Sequence, residues 1–382
     1  MDKLRKFVRN ILDKILIFHG KRIEIKKFKT PERKEIWKNS ILSYEQKKQI
    51  DELYIKNYGK KIPYVWHRHY TAFMNNFDPK FFPELLYIPE FEHYMNINFD
   101  YCKVFGDKNV LPMIAMYAGV KMPKTVLSCV DGILFTENVK ELSINEACDY
   151  LAEKGELFGK PSVDSNSGKG CVLVDFHNGK DLKSNKSVKN ILDSLGDNFV
   201  IQERIHCHED IKKIYPDSVN TFRIITYRWK DMYHHMPVIM RIGRGGNYLD
   251  NAHAGGMFIG VENDGTLKNK AITEFKQEFF KHPDTGVFFE NYKISGIDKV
   301  IEAALTMSRA MPQIGVVNWD FTIGEDGNPI LIEANMNGGS VWLIEMAHGR
   351  GAFEDLTPEI LKWLHKMEKL QVSQYKDHRF GR

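Results

Sequence analysis

The stretch from Val316 to Ser340, VVNWDFTIGEDGNPILIEANMNGGS, constrains the fold of this chain more than any other. Apolar residues alternate along its first half, an Asp-Gly pair is typical of a turn, and the second half runs back, which predicts a β-hairpin. Side chains two residues apart on a strand share a face. Glu333 and Asn335 are therefore expected on one face, and Asp320 of the partner strand can project to that face across the ladder.

The side chains of Asp320, Glu333 and Asn335 carry hard oxygen ligands, the set that Mg²⁺ prefers when substrate phosphates complete its shell. Neighbouring carboxylates repel each other unless a cation lies between them, which also favours a cation site. The Asn337-Gly338-Gly339 segment that follows supplies backbone able to approach an anion closely. The alternative is an ordinary edge hairpin whose acidic side chains face water, because Glu-x-Asn is a short pattern.

The composition is that of a soluble globular protein with room for two or three packed domains. The 382 residues are 43% hydrophobic and 27% charged, and the net charge of +4 is too small to suggest wholesale binding of nucleic acid. Five scattered cysteines lack a CxxC pairing, which disfavours a disulfide framework or a zinc site and favours a reducing cytoplasm. The sequence shows no apolar run long enough to cross a bilayer and no cleavable signal pattern.

Residues 1–95 are predicted to form a helical, aromatic-rich accessory region. Residues 1–18, MDKLRKFVRNILDKILIF, place apolar side chains on one helical face and crowd lysines and arginines on the rest, which predicts a basic amphipathic helix. One interpretation is an in-plane anchor on the inner face of an anionic membrane, near a lipid-linked substrate. The other, which we prefer from the sequence, is a helix packed on its own domain with a solvated basic face. The histidines of the aromatic segment that follows are expected in the core rather than at a metal.

Residues 96–202 are predicted to form a nucleotide-binding lobe. Lys108 precedes an apparent helix, where a lysine can reach a phosphate. Lys160 lies on an extended run that is followed by a loop of small residues, 165–170, and then by the strand CVLVDF. Such a loop can fold over a triphosphate through backbone N–H groups and ammonium charge, with an ordinary hairpin as the alternative. It is not a Walker A loop, because the pattern is absent and a strand follows where a helix is required.

The run FVIQERI is predicted to be an apolar strand that ends this lobe at a carboxylate. The backbone at such a junction can face an adenine edge, and Glu203 can accept a hydrogen bond from the exocyclic amine. The alternative is a strand that simply leaves the core.

Residues 203–365 are predicted to form a second lobe, followed by a C-terminal tail at 366–382 whose last part, VSQYKDHRFGR, is expected to be mobile. Arg223 and Arg241 lie inside two apolar strands. A guanidinium in a strand interior needs an anion, and a phosphate or carboxylate meets its forked geometry; a structural ion pair is the alternative. The paired glycines of the NAHAGG loop, residues 251–256, permit close approach of the backbone to a substrate.

Taken in order, these segments resemble the ATP-grasp superfamily from about Phe105 to Leu364. The shared series is GDK before a helix, a strand lysine followed by a glycine loop, a QERI hinge and then D…E-x-N. The whole chain is most similar to the sugar-transfer-associated ATP-grasp group, which is predicted to act in the assembly of cell-surface polysaccharide. This resemblance implies an α+β ATP-grasp fold in which two α+β lobes clamp ATP, preceded by the helical, aromatic-rich region.

The resemblance also implies roles for individual residues. Those implied in ATP binding are Lys108 and Lys160 at the α- and β-phosphates, Gly168, Lys169 and Gly170 over the phosphates, Gln202, Glu203, Arg204 and Ile205 at adenine, and Asp210 or Glu209 at the ribose. Those implied at the acyl phosphate and acceptor are Arg223, Arg241, Asn251, Gly255 and Gly256, with Asn337 and Gly338 beside them. Those implied in holding Mg²⁺ are Asp320, Glu333 and Asn335. Biotin carboxylase has an arginine where this chain has Asn337, which argues against a carboxylase and leaves the catalytic cation to Arg241.

The function implied is that of an ATP-dependent carboxylate–amine ligase that forms an amide through an acyl phosphate. Its expected partners are ATP and a small carboxylate, amine or sugar-linked substrate, with a cell-surface polysaccharide or its precursor as the molecule modified. One alternative is a phosphotransferase on a small molecule or sugar. The other is a non-catalytic nucleotide-binding subunit held at the membrane by the first helix.

Overall fold

Helices occupy the first third of the chain, and two antiparallel sheets follow. The structure is a computed structural model that describes residues 2–163, 168–251 and 255–382. The α-helices are α1 (Asp2–Lys27), α2 (Pro31–Lys38), α3 (Tyr44–Tyr58), α4 (Val65–Met74), α5 (Glu84–Leu86), α6 (His93–Met95), α7 (Phe99–Gly106), α8 (Leu111–Tyr117), α9 (Ile144–Leu151), α10 (Val188–Leu195), α11 (Glu209–Ile214), α12 (Ile297–Ala310), α13 (Trp342–His348) and α14 (Thr357–Met367). The strands are β1 (Thr125–Val130), β2 (Ile133–Thr136), β3 (Glu141–Leu142), β4 (Gly155–Pro161), β5 (Val172–His177), β6 (Lys180–Asp181), β7 (Phe199–Glu203), β8 (Thr221–Trp229), β9 (Met232–His235), β10 (Val238–Ile242), β11 (Met257–Val261), β12 (Ala271–Ile272), β13 (Glu278–Phe279), β14 (Val316–Ile323) and β15 (Pro329–Asn335). A π-helix (Tyr87–Glu92) joins α5 to α6, and 3₁₀ helices occupy Glu354–Leu356 and Val372–Gly381.

The first sheet has seven strands in the order β3-β2-β1-β7-β4-β5-β6. Apolar residues of α9 and α10 pack with its strands in one core. A turn at the Asp131-Gly132 pair joins β1 to β2. Asp131 and Gly132 both have positive φ, 50° and 83°, the geometry of the tight turns that join hairpin strands.

The second sheet follows the order β13-β12-β11-β10-β8-β14-β15, and β9 also pairs with β8. The hairpin predicted from the sequence is β14 and β15, with Asp320 opposite Glu333 and Asn318 opposite Asn335. All eight residues of β14 are buried, because β8 and β15 flank it and helices cover both faces of the sheet. The alternative of a hairpin whose acidic side chains face water is therefore wrong for Asp320, which is fully buried.

The N-terminal helices build an aromatic core on one face of the second sheet, together with α13 and α14. His67 and His69 belong to this core and make edge contacts with Tyr54, Phe81 and other rings. Burial lowers the pKa of His67 to about 4 and that of His69 to about 3. Both histidines are therefore neutral core residues near neutral pH, in agreement with the sequence.

The C-terminal segment is packed, so the expectation of a mobile tail is wrong. Tyr375, Arg379 and Phe380 are buried in it. The Arg379 guanidinium donates to the carbonyl oxygens of Gln313, at 2.9 Å, and of Met95. The sequence of this segment lacks a helical or strand period, and its anchors are distant in the chain, so local patterning does not predict the docking.

Asn96 ties the helical region to the hairpin. Its amide nitrogen donates to the carbonyls of Val316 and Met336 at 2.9 and 2.8 Å. Its amide oxygen accepts from the backbone N–H groups of Gly315 and Val316 at 2.9 and 3.1 Å. One buried side chain thus satisfies four backbone groups at the start of β14 and the end of β15.

Replacing Asn96 with alanine should lower the free energy of unfolding by about 2–4 kcal/mol, because it leaves buried backbone groups without partners. Urea unfolding followed by circular dichroism measures the change. Asn96→Asp should also destabilise the protein, since a carboxylate cannot donate to the two carbonyls. The exposed Asn190→Ala in α10 is the control and should be close to neutral; an Asn96→Ala protein as stable as this control would contradict the prediction.

Candidate active site

A cavity of about 490 Å³ lies between the two sheets. Its lining includes Lys160 of β4 and Gln202 of β7 from the first sheet, and Arg223, Arg241 and Glu333 of β8, β10 and β15 from the second. The volume is in the range of cavities that enclose small-molecule ligands and cofactors. The predicted first-lobe and second-lobe residues therefore meet at one place, although the predicted domain boundaries themselves stay a prediction.

Strand register aligns three charged side chains across the second sheet. Asp320 lies opposite Arg223 in the pairing of β14 with β8, and opposite Glu333 in the pairing of β14 with β15. Arg223 binds Asp320 through two hydrogen bonds, Nε to Oδ1 at 2.9 Å and Nη2 to Oδ2 at 2.7 Å. Arg241 Nη2 approaches the same carboxylate at 3.1 Å. A fully buried carboxylate is thus held between two guanidinium groups.

Burial alone would raise the pKa of Asp320, but the charges of Arg223 and Arg241 outweigh it and bring the pKa to about 2. Asp320 is therefore ionised throughout the physiological range. The sequence expected an external phosphate or carboxylate as the partner of the two arginines. In the structure their anion comes from within the chain, so the alternative of a structural ion pair describes Arg223 here. A catalytic role for either arginine stays a prediction.

Asp250, which the sequence does not single out, supports Arg241 from behind. Its carboxylate accepts from the backbone N–H of Thr221 at 2.9 Å and contacts the Thr221 hydroxyl. That hydroxyl oxygen in turn accepts from Arg241 Nε and Nη2 at 2.9 and 2.7 Å. Burial raises the pKa of Asp250, against the opposing charge of Arg241. Thr221 lies opposite Arg241 in the strand pairing, so only the register between β8 and β10 could have indicated this contact.

The three predicted metal ligands all line the cavity, with Asn335 Nδ2 donating to Glu333 Oε1 at 3.2 Å. Asp320 already accepts hydrogen bonds from Arg223 and pairs with Arg241. The oxygen atoms of Glu333 and Asn335 are therefore the ones most able to bind a cation. One carboxylate, one amide oxygen and substrate phosphates suit Mg²⁺. Within the described parts of the chain, no group of three or more His, Cys, Asp or Glu residues is placed to hold a metal ion. The residues fit Mg²⁺ only with nucleotide phosphates completing the shell.

Lys108 and Lys160 are both buried in the cavity wall. Lys160 Nζ donates to the carbonyl oxygen of Ile332 at 3.3 Å. Burial, opposed by the charge of Glu333 and assisted by that of Lys108, lowers the pKa of Lys160 to about 8. Two cations held in a partly dry cavity suit a polyanionic ligand.

The predicted adenine segment also lies at the cavity: Gln202, Glu203, Arg204 and Ile205 all line it. Gln202 is buried, and its Nε2 makes long contacts of 3.5 and 3.4 Å with the Pro123 carbonyl and the Thr125 hydroxyl. Arg204 pairs with Glu156 of β4.

The two predicted glycine loops are only partly described. Residues 165–167 and 252–254 lie outside the described residues. Gly168 and Asn251 line the cavity, whereas Lys169, Gly170, Gly255 and Gly256 are absent from the lining that the described residues form. A Cβ on Gly256 would lie 2.5 Å from the Asp250 carbonyl oxygen, so backbone packing, rather than a ligand, accounts for this glycine.

Two further predictions differ from the structure. Asp210, expected at the ribose, is not part of the cavity lining described; its Oδ2 accepts from the Ser295 N–H at 3.1 Å, while Lys212 of the same helix lines the cavity. Asn337 and Gly338 do line the cavity. However, the N–H groups of Gly338 and its neighbour Gly339 donate to the buried Glu92 at 2.6 and 2.8 Å. The group that this backbone approaches is therefore the carboxyl group of Glu92, whose pKa burial raises to about 8, and local sequence could not reveal this contact.

The comparisons with known proteins agree with this architecture. Residues 89–359 match the family described as sugar-transfer associated ATP-grasp. The chain belongs to this family. The family and the α+β ATP-grasp fold predicted from the sequence are confirmed. No curated protein gives a significant match.

Solved structures with some similarity include three enzymes. One is carboxyaminoimidazole ribonucleotide synthase from Aspergillus clavatus, complexed with ATP. It is 12% identical to this chain, the matched region covers 62% of this chain and 46% of the synthase chain, and the TM-score is 0.36. D-alanine–D-alanine ligase from Bacillus anthracis has 14% identity, with coverage of 72% and 70% and a TM-score of 0.39. L-amino acid ligase from Bacillus licheniformis has 14% identity, with coverage of 72% and 50% and a TM-score of 0.39. The chain thus spans less than half the length of the first of these, and the scores are too low to support an argument about function.

The affinity for ATP should fall as the pH rises above 8, because Lys160 loses its charge near this value in the free protein. A pKa lowered in the free protein means that binding a polyanion takes up a proton, so Kd should rise by up to about tenfold per pH unit above 8. Calorimetric titrations with ATP between pH 7 and pH 9.5 measure this.

Lys160→Arg is the matched control, since a guanidinium stays charged over this range. Its Kd should vary much less with pH, whatever its absolute value. Equal pH dependence in the two proteins would contradict the role given to Lys160.

Proposed function

We propose that this chain is an ATP-dependent carboxylate–amine ligase that forms an amide through an acyl phosphate. The observation that carries the proposal is the juxtaposition of two lysines, two arginines and the Glu333–Asn335 pair around one cavity, in a member of an ATP-grasp family. The cations suit a triphosphate and a carboxylate, and the acidic pair suits the metal that accompanies ATP. This chemistry needs no serine or cysteine nucleophile, because no intermediate is bonded to the protein.

The reaction has two balanced steps. A substrate carboxylate oxygen attacks the γ-phosphorus of ATP, forming an O–P bond as the bond to ADP breaks. The amine nitrogen then attacks the acyl carbon, the C–N bond forms, inorganic phosphate leaves with the bonding pair, and the nitrogen loses a proton. Phosphoryl transfer of this kind depends on positioning and on neutralising charge rather than on a covalent intermediate with the protein.

The residues divide this work according to their contacts. Lys108 and Lys160 neutralise the phosphates. Arg241 makes one contact with Asp320 and is otherwise held by Thr221 and Asp250, whereas Arg223 makes two hydrogen bonds to Asp320. Of the two arginines, Arg241 is therefore better placed to face the transferring phosphoryl group. Glu333 and Asn335 would hold Mg²⁺, which supplies further neutralisation of the phosphate oxygens.

The sugar connection is proposed from the family alone, because its description is sugar-transfer associated. We propose a cell-surface polysaccharide or its sugar precursor as the molecule that is modified, with an amino acid or amine as the group added. Bound to Mg-ATP, the enzyme would meet these substrates at the mouth of the cavity between the sheets.

Incubation of the protein with Mg-ATP and pooled uronic-acid sugars and amino acids tests the proposal. Release of inorganic phosphate together with a new amide in the mass spectrum is the expected result. A stable phosphorylated sugar without an amide would instead establish a phosphotransferase. A protein that neither binds Mg-ATP nor releases phosphate would overturn the proposal.

Glu333→Gln should lower the rate of phosphate release by on the order of 10²-fold or more, because it weakens the charge that holds the metal at the transferring group. The urea unfolding midpoint should change little, since Glu333 is only half-buried. Glu290→Gln, an exposed glutamate outside the cavity lining, is the control and should keep full activity. Unchanged activity in Glu333→Gln would show that the Glu333 carboxylate does not serve the metal.

A further inference from the structure

Helix α1 packs on the protein through its polar face. Asp13 is buried and accepts from the Tyr375 hydroxyl at 2.7 Å, and its carboxylate lies 2.8 Å from His93 Nε2. Asn10 Oδ1 accepts from the backbone N–H of Val372 at 2.9 Å. These contacts join the helix to α6 and to the C-terminal 3₁₀ segment.

The same face continues toward the end of the helix. Gly20 lets α1 approach Pro89 so closely that an added Cβ would lie 3.2 Å from the proline Cβ. Lys21 Nζ donates to the Tyr58 hydroxyl at 3.0 Å and pairs with the buried Glu90. Glu24 is also buried. With Ile17, which packs against the same core, the inward residues recur at three- or four-residue intervals and form one stripe along the helix.

Apart from Ile17, which packs against the core, the large apolar residues of α1 lie on the opposite face and are exposed. Leu4, Phe7 and Leu16 are 66%, 61% and 64% exposed. The full exposed apolar set is Leu4, Phe7, Val8, Ile11, Leu12, Ile15, Leu16, Phe18, Ile23 and Ile25. A helix turns by about 100° per residue, which places this set across the axis from the polar stripe. Helix α1 does pack on its own domain with its basic residues exposed, as the interpretation preferred from the sequence expects. A helix packed in this way normally buries its apolar face, however, and here most of that face is exposed as well.

Positive charge borders this apolar face. The helix contains nine lysines and arginines against three acidic residues, and two of the acidic ones, Asp13 and Glu24, are buried on the inward side. Lys3, Arg5, Arg9 and Lys14 are among the exposed basic residues, together with Lys6, Arg22, Lys26 and Lys27. At about 100° per residue, Lys3 and Lys14 lie along one edge of the apolar face and Arg5 and Arg9 along the other, whereas Arg22 and Lys26 lie within it. The outward surface of residues 3–18 is therefore apolar along its centre and basic along its edges.

We propose that α1 is a docking surface for an anionic phospholipid bilayer, on which it lies in the plane of the interface. An apolar face with basic borders inserts among the acyl chains and attracts anionic headgroups at the same time. Across the part of the chain that the structure describes, no helix is long and apolar enough to cross a membrane. A second copy of this chain is a poorer occupant, because two faces with the same basic borders repel each other.

Co-sedimentation of the full chain with vesicles tests this surface independently of the catalytic proposal. The chain should bind vesicles of phosphatidylcholine mixed with phosphatidylglycerol, and bind pure phosphatidylcholine far more weakly. The double variant Leu12→Glu with Leu16→Glu should bind the anionic vesicles at least about tenfold more weakly, since it puts charge into the inserted face. Failure of the unaltered chain to bind anionic vesicles would overturn the proposal.

The matched control is Ile41→Glu, because Ile41 is 84% exposed but lies outside α1. It should bind like the unaltered chain, and an equal loss in both variants would overturn the assignment to α1. Lys3→Glu with Lys14→Glu, or added salt, should weaken binding, because the attraction to anionic lipid is lost or screened.

Two solution measurements complete the test. Circular dichroism and urea unfolding of the Leu12→Glu, Leu16→Glu variant should match those of the unaltered chain, since both positions are exposed. Sedimentation velocity without lipid should show no dimer that this variant dissolves; such a dimer would overturn the proposal and make the face an interface between copies. ATP binding should be the same in every variant, so a failure of the membrane proposal is distinguishable from a failure of the catalytic one.

Discussion

Asp320 lies at zero exposure between the guanidinium groups of Arg223 and Arg241, and this buried charge cluster determines how the cavity is built. Transfer of three charges out of water is unfavourable, and their mutual attraction offsets it only when geometry and hydrogen bonding are good. Here Arg223 provides a forked, two-bond contact and Arg241 is braced by Thr221 and Asp250. Loss of one partner from such a buried pair typically destabilises a protein by about 3–5 kcal/mol. The wall of the cavity that the second sheet forms is therefore charged and held in place by several hydrogen bonds.

Strand register is what brings the cluster together. A slip of one residue between β8 and β14 would turn Arg223 and Asp320 to opposite faces of the sheet. The register between β14 and β15 shifts after Asp320, so the two strands pair differently on either side of it. Such an irregularity re-aims side chains locally. It places Glu333 at the cavity wall while Leu331 remains in the core.

Local patterning predicts the elements of this chain better than their contacts. The β14–β15 hairpin, the two strand arginines and the family series follow from period and order, because each depends on residues close in sequence. The Asp320–Arg223 pair joins positions nearly a hundred residues apart, and neither residue reveals its partner alone. The same holds for the hydrogen bonds from Gly338 and Gly339 to Glu92, and for the ion pair between Arg241 and Asp250. Helix α1 shows the converse: its amphipathic period is evident, but only the packed structure reveals which side faces inward.

The C-terminal segment has a mechanical consequence. It contacts α1 through Val372 and Tyr375, and it holds the carbonyl of Gln313, three residues before β14, through Arg379. Asn96 then clamps the first residues of that strand. A displacement of α1 would thus be transmitted to the first residues of β14, the strand that carries Asp320, through a short series of hydrogen bonds rather than through a flexible linker. The first and last segments of the chain therefore brace the second sheet together.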